Sequence, residues 1–272
     1  MKRWMRSALL AMTLLCSTAM AAPAPDETAT QIMRHAGDHR LVVLGEYHGT
    51  AETPLLVADL MERYSRDTAA VRLALELPMS ENVALARYLR SDGGTDARET
   101  LRTSPFWAVK DDQHDGRRSR DMLALIEAVR VLRVQGRDVG VAGYDTETGA
   151  STSSDQRDAA MATHLRQQFN ALPADARMLV LTGNVHAMRT RSADAPAEMQ
   201  QKMMAAHLLD LPLYSVRLEA LRGHFWACFQ PCRAVPLIER PPHAAKEDTG
   251  ADRQYDLWIW MPALSVATLT DP

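Results

Sequence analysis

Several signatures are missing from this chain, and each absence removes a class of function. There is no G-x-S-x-G elbow, no phosphate-binding P-loop, no H-E-x-x-H and no Rossmann glycine pattern. The serine α/β-hydrolases and the common nucleotide binders are thereby set aside. Aromatic residues are only 6% of the chain, no long basic run occurs, and net charge is −3. Nucleic acid is therefore not an expected partner. Cysteine is scarce, at three residues. No internal repeat is found, and no linker is long enough to demand a second domain.

The chain has 272 residues, 46% of them hydrophobic. This suits one α/β domain with a large core. Residues 1–21 read as a secretory signal peptide: Lys2, Arg3 and Arg6 form a basic start, SALLAMTLL an apolar middle, and Ala19-Met20-Ala21 a small-residue end. The apolar run is short for a membrane span, and no stop-transfer pattern follows it. A periplasmic or secreted protein is expected. Lipidation at Cys16 fits less well, because Leu14 and Leu15 precede it where a small residue belongs. Cleavage leaves Cys228 and Cys232, in CFQPC. An oxidising compartment permits a disulfide between them, and Pro231 favours the tight turn it needs.

Residues 22–40 read as a lead-in and 41–265 as the domain. Apolar runs at 41–46, 71–77, 139–144 and 178–182 have strand length and no alternation, as in strands buried on both faces of a parallel sheet. Helical patterns lie between them, at 54–64, 80–89, 119–135 and 155–169, with another at 197–209. The strand–helix order predicts an α/β fold: a central parallel or mixed sheet flanked by helices. LYSVRLEAL, HFWACFQ and YDLWIWMPAL predict an antiparallel C-terminal extension, with Ser215, Arg217 and Glu219 on an exposed face. Residues 90–118 read as an excursion that caps the site.

Polar residues gather where the apolar runs end. Gly45-Glu46-Tyr47-His48 closes the first run, and Glu76 interrupts the second between Leu75 and Leu77. Asp145 ends the third. After the fourth, Gly183-Asn184-Val185-His186 repeats the glycine, polar residue, spacer, imidazole order. The C-terminal rim of an open α/β sheet is where ligands bind. A buried carboxylate such as Glu76 needs a partner, either an arginine such as Arg117 or a metal. Glu46, His48, Glu76 and His186 are the candidate catalytic residues. Together they also make an N/O donor set for a divalent metal: zinc, iron or manganese. Without metal, one histidine serves as base toward water while a glutamate holds it. Arginines at 117, 118 and 120 oppose the helix dipole, so one of them is expected to point into the site. Tyr47, Arg117, Tyr144, Asp145 and Asn184 are candidate substrate contacts.

At these residues the chain resembles the superfamily that joins ChaN-like haem-binding lipoproteins, the Tiki and TraB proteases, and erythromycin-esterase-like hydrolases. LVVLGEYHGTAETP resembles its first signature. Glu76 matches the second-strand glutamate, FW…DGRRS…M a ChaN-like stretch, and GNVHA the late histidine element. The resemblance covers about Leu41 to Ala187. It implies one α/β domain with its site at the sheet's C-terminal edge. Tiki-like members imply metal-dependent peptide hydrolysis. Esterase-like members imply a histidine base matching His48, although their signature has two spacers between Glu and His. ChaN-like members have the single spacer seen here and imply haem binding through tyrosine and histidine, in a dimer around stacked haems. Three readings follow: an exported, metal-assisted hydrolase of a peptide, amide or ester bond acting on a small molecule or peptide; a haem-handling protein; and a non-catalytic interaction protein with a vestigial site.

Overall fold

LVVLGE, VRLALELP, VGVAGYD and RMLVLTG form strands β1 (Leu41–Glu46), β2 (Val71–Pro78), β3 (Val139–Asp145) and β4 (Arg177–Gly183). Alternation is absent because helices cover both faces. Val42 and Leu44 of β1 join one buried cluster, and Leu41 and Val43 join the other. The computed structural model describes residues 25–67, 70–108, 115–147, 153–191, 194–196, 201–229, 231–241 and 243–270. The segment read as a signal peptide, Cys16 included, lies outside them. No helix among the described residues is long and apolar enough to cross a membrane.

Helices α1 (Pro25–Ala36), α2 (Glu52–Asp67), α3 (Asn82–Leu89), α4 (Thr95–Arg102) and α5 (Arg120–Val134) contribute to the first cluster. Helix α1 lies within the stretch read as a lead-in, yet Ala29, Ile32 and Ala36 are fully buried. Ser119 caps α5, its side chain accepting from the Met122 N–H. Helix α6 (Ser154–Asn170) covers the opposite face, placing Met161, Ala162, Leu165 and Phe169 in the second cluster.

The remaining strands are β5 (Leu213–Ala220), β6 (His224–Cys228), β7 (Cys232–Pro236), β8 (Lys246–Glu247) and β9 (Leu257–Met261). The main sheet runs β3-β2-β4-β1-β5-β9-β8, and β6 and β7 form a separate pair. All pairings in the main sheet are parallel except β8 with β9. The chain is thus an α/β domain with a mixed central sheet and a small antiparallel sheet near its C-terminus. Its antiparallel part is the β6–β7 hairpin and β8, whereas β5 and β9 extend the parallel sheet.

Two local readings are corrected. Ser215, Arg217 and Glu219 do not face solvent, because β5 is buried along its whole length. Their polar groups are satisfied inside: Ser215 Oγ donates to the Ala187 carbonyl at 2.5 Å, and Arg217 Nε donates to Glu219 at 2.7 Å. The helix read at 197–209 lies outside the described residues at 197–200. Beyond that gap only a short 3-10 turn, Ala205–Leu208, forms.

β1 and β2 are sequential but not adjacent, and β4 enters between them. Their three C-terminal ends therefore lie side by side. The β6–β7 hairpin, joined across Cys228 and Cys232 by a disulfide, closes one side of this rim. There the backbones approach so closely that a Cβ on Gly116 would stand 2.8 Å from Gly49 Cα and 2.9 Å from the Trp226 carbonyl oxygen. Both glycines have positive φ, 66° at Gly49 and 89° at Gly116.

Candidate functional site

Glu46 ends β1 with its side chain buried, 4% exposed. Two residues on, past the strand end, His48 turns back so that Nδ1 lies 3.0 Å from Glu46 Oε1. The other ring nitrogen, Nε2, faces Glu76 Oε2 at 3.6 Å. Gly183 makes room for this ring, since a Cβ there would stand 2.9 Å from His48 Nε2.

Glu76 is the fixed centre. Its Oε2 accepts from the Thr182 hydroxyl at 2.8 Å and the Gly183 N–H at 2.7 Å. Its Oε1 accepts from Arg157 at 2.7 Å and from Arg117 at 3.4 Å. Asp145, at the end of β3, binds the same two guanidinium groups, accepting from Arg117 at 3.0 Å and from Arg157 at 2.9 and 2.6 Å. Asp115 holds Arg117 from the far side at 2.6 Å.

His186 meets this centre from the opposite flank. Its Nδ1 lies 2.7 Å from Asp158 Oδ1, its Nε2 3.0 Å from Arg157 Nη1 and 3.9 Å from Glu76 Oε1. A guanidinium can only donate. Nε2 of His186 is therefore the acceptor, and its proton sits on Nδ1, donated to Asp158.

The charges set the proton positions. Burial alone would lower the pKa of His48, but Glu76 and Glu46 outweigh burial and push it up to about 10. Burial would raise Glu76, yet His48, His186 and Arg117 hold it well below the usual carboxylate range. Burial dominates at Glu46 and raises its pKa despite His48. His48 is thus charged, whereas at His186 the Arg157 donor on Nε2 leaves the proton on Nδ1.

The remaining candidate contacts divide. Arg117 enters the site. Arg118 stacks on Phe106, its guanidinium 4.1 Å from the ring centroid. Asn184 contributes backbone: its N–H donates to the Glu46 carbonyl at 2.9 Å, and its own carbonyl accepts from Tyr255 at 2.7 Å. Tyr144 is fully buried with its hydroxyl on the Leu181 carbonyl at 3.2 Å, so it belongs to the core beneath the site. Tyr47 points to other partners than the imidazoles. It packs on Phe225 and lies under Arg217, and its hydroxyl donates to Glu219 at 3.2 Å.

Arg157 and Asp158 were not among the sequence candidates. Their signal was present: Asp158 occupies the buried stripe of α6 shared by Met161, Ala162 and Leu165. A carboxylate there requires a partner, just as Glu76 does.

The donor set does not fit a divalent ion. Among the described residues, no group of three or more His, Cys, Asp or Glu side chains is arranged to hold one. Arg117 and Arg157 stand against Glu76 where a cation would bind, and the lone pair of His186 already accepts from Arg157. Tyr47 fits a phenolate haem ligand no better, because burial and the neighbouring Glu219 raise its pKa.

No family model matches the chain, and no curated protein matches it in sequence. Solved structures match it in fold. An erythromycin esterase in its open conformation superposes with a TM-score of 0.65 at 13% identity, over 89% of this chain and 95% of that one. A succinoglycan biosynthesis protein gives 0.60 at 12% identity, over 88% and 92% of the two chains. The type III effector HopBA1 gives 0.52 at 17% identity, over 90% and 99%. At these identities the likeness is one of fold alone.

Proposed function

We propose that this protein is an exported hydrolase of ester, amide or peptide bonds that works by histidine acid–base chemistry. The observation that carries this reading is the pair of carboxylate-oriented imidazoles on either side of one fixed glutamate. A ring that holds its proton and a ring whose Nε2 accepts are placed as acid and base. His48, protonated at rest, is the acid. His186, whose Nε2 is freed when Arg157 turns to the substrate, is the base.

In this reading His186 Nε2 takes a proton from water, and the water oxygen bonds to the carbonyl carbon. Arg157 donates to the oxygen on which negative charge develops. As the tetrahedral species collapses, the bond to the leaving group breaks and His48 Nε2 supplies its proton. The new acid carries the water oxygen, and one proton passes from His186 to His48 through solvent to restore the resting site. Glu46 and Asp158 orient the two rings, and Glu76 holds both arginines. No step passes through a metal, because the arginines occupy its place.

The basic, apolar and small-residue pattern of residues 1–21 and the Cys228–Cys232 disulfide support export. Haem handling has less support, since Tyr47 is engaged by Glu219. A vestigial site would not keep this many buried polar groups paired.

The test is a panel of chromogenic esters, anilides and peptides, assayed with wild type, His48→Asn and Asp158→Asn. Turnover by wild type that falls about 100-fold or more in both variants is the expected result. Absence of turnover across the panel, or equal turnover in all three proteins, refutes the proposal.

A further inference from the structure

β3 is an edge of the main sheet, with β2 as its neighbour on one side only. The opposite edge is the two-residue β8, too short to template another strand, whereas β3 runs for seven residues. Along an edge strand, successive residues turn their main-chain groups alternately inward and outward. The Asp138 carbonyl accepts from the Val71 N–H, so residues 138, 140 and 142 face β2, and Val139, Val141 and Gly143 face out. Two of these three are capped. The Val139 carbonyl accepts from Arg133 at 3.2 Å, and its N–H donates to the Arg137 carbonyl at 3.0 Å. Asn82 accepts from the Gly143 N–H at 2.6 Å and donates to its carbonyl at 3.1 Å. Val141 is left, its outward N–H and carbonyl without a partner among the described residues.

An open amide and carbonyl between two capped neighbours make a slot for another extended chain. Residues 140–142 line an open groove of about 390 Å³ along this edge. Leu89 of α3 borders it from the first cluster and Leu172, just past α6, from the second. Three arginines, Arg72, Arg90 and Arg133, also line it, and no acid does. Asp138 balances Arg72 at 2.7 Å. Arg90 is exposed, and its side chain has no partner among the described residues. The groove therefore carries excess positive charge. A ligand that answers a main-chain donor and acceptor, two apolar walls and this charge at once is a peptide strand with acidic side chains.

We propose that this groove docks an extended acidic segment of another protein, added to the sheet as a strand beside β3. The segment exchanges two main-chain hydrogen bonds with Val141, its apolar side chains meet Leu89 and Leu172, and its acids meet Arg90 and Arg133. Val141 lies four residues before Asp145, about 13 Å along the strand from the Glu76 centre's rim. Docking is therefore separate from the hydrolytic reading and is measured without any turnover assay.

A fluorescein-labelled Glu-Val-Glu-Val-Glu peptide, titrated into the full chain and followed by anisotropy, tests this. It binds saturably, and hydrogen exchange at the Val141 amide slows in the complex. The same peptide N-methylated at every residue keeps its charge but has no N–H to donate, and it does not bind. Arg90→Glu, at an exposed position, weakens binding of the parent peptide about tenfold or more. No saturable binding below roughly 1 mM peptide overturns the proposal. Equal binding of the methylated peptide, which would leave charge attraction alone, overturns it too. So does unchanged exchange at Val141 in the complex, or unaltered affinity in Arg90→Glu.

Discussion

His48 presents Nε2 to Glu76 Oε2 at 3.6 Å, and this approach decides the charge of the ring. With Glu46 on its other nitrogen, the imidazole holds its proton up to about pH 10. A histidine whose folded pKa exceeds its unfolded one stabilises the fold fully below the unfolded value, and that stability is lost as pH rises through the folded value. The window here runs from the ordinary 6.5 to about 10. Across it the wild type loses stability on the order of a few kcal/mol. His48→Gln does not share this loss. Urea unfolding of both proteins at several pH values measures the difference, and parallel curves would refute the assignment.

Glu76 makes the opposite prediction at the acid end. Its pKa is held well below the ordinary 4.5, so its contribution is present above that value and disappears as pH falls through the folded one. Glu76→Gln leaves Arg117, Arg157 and His48 without their common anion. Breaking a buried ion pair by removing one partner costs about 3–5 kcal/mol. The variant should unfold at markedly lower urea at pH 7, and the gap should narrow in acid. An unchanged midpoint at pH 7 would show that Glu76 is not the anchor.

Asp158→Asn tests the charge behind His186. His186 Nδ1 and the Met204 N–H both meet Asp158 Oδ1, so an asparagine that keeps its oxygen there preserves both hydrogen bonds and removes only the negative charge. An imidazolium formed when His186 takes a proton then lacks its counter-ion, and activity should fall by about two orders of magnitude. Far-UV circular dichroism stays that of wild type, and the nitrogen chemical shifts of His186 show the proton still on Nδ1. Full activity in this variant would remove His186 from the mechanism.

Chelation separates this mechanism from the metal-assisted one. Because Arg117 and Arg157 occupy Glu76 Oε1, and Thr182 and Gly183 occupy Oε2, dialysis against EDTA should leave turnover and melting temperature unchanged. Loss of turnover restored by zinc, iron or manganese would overturn the arginine-based reading.

How far the sequence carried these conclusions depended on contrast. β1 to β4 were legible because two-sided burial removes polar residues from a strand, so each apolar run stood out. Glu46, Glu76 and His186 were legible against the same background, as polar residues where the run should have continued or just ended. Arg217 and Glu219 misled for the converse reason. Their alternation with Val216 and Leu218 is what an exposed face produces, and only a tertiary neighbour, Tyr47 above the pair, reveals that the polar face is closed. Arg157 and Asp158 were hidden because they fall near the start of α6, where charged residues are ordinary on an exposed helix face. The expected metal set finds no ready cluster among the described residues, because spacing brings acids and imidazoles together but does not say which cation lies between them. That role falls to arginines distant in sequence.

The close packing of Gly49, Gly116 and the Trp226 carbonyl sets a rule for reshaping the rim. That wall is packed from main chain and the Trp226 Cβ, atoms that no ordinary truncation removes to admit a bulkier substrate. Enlargement by mutagenesis has to proceed from the α6 flank, where Arg157 and His186 are side chains and still partly open to solvent.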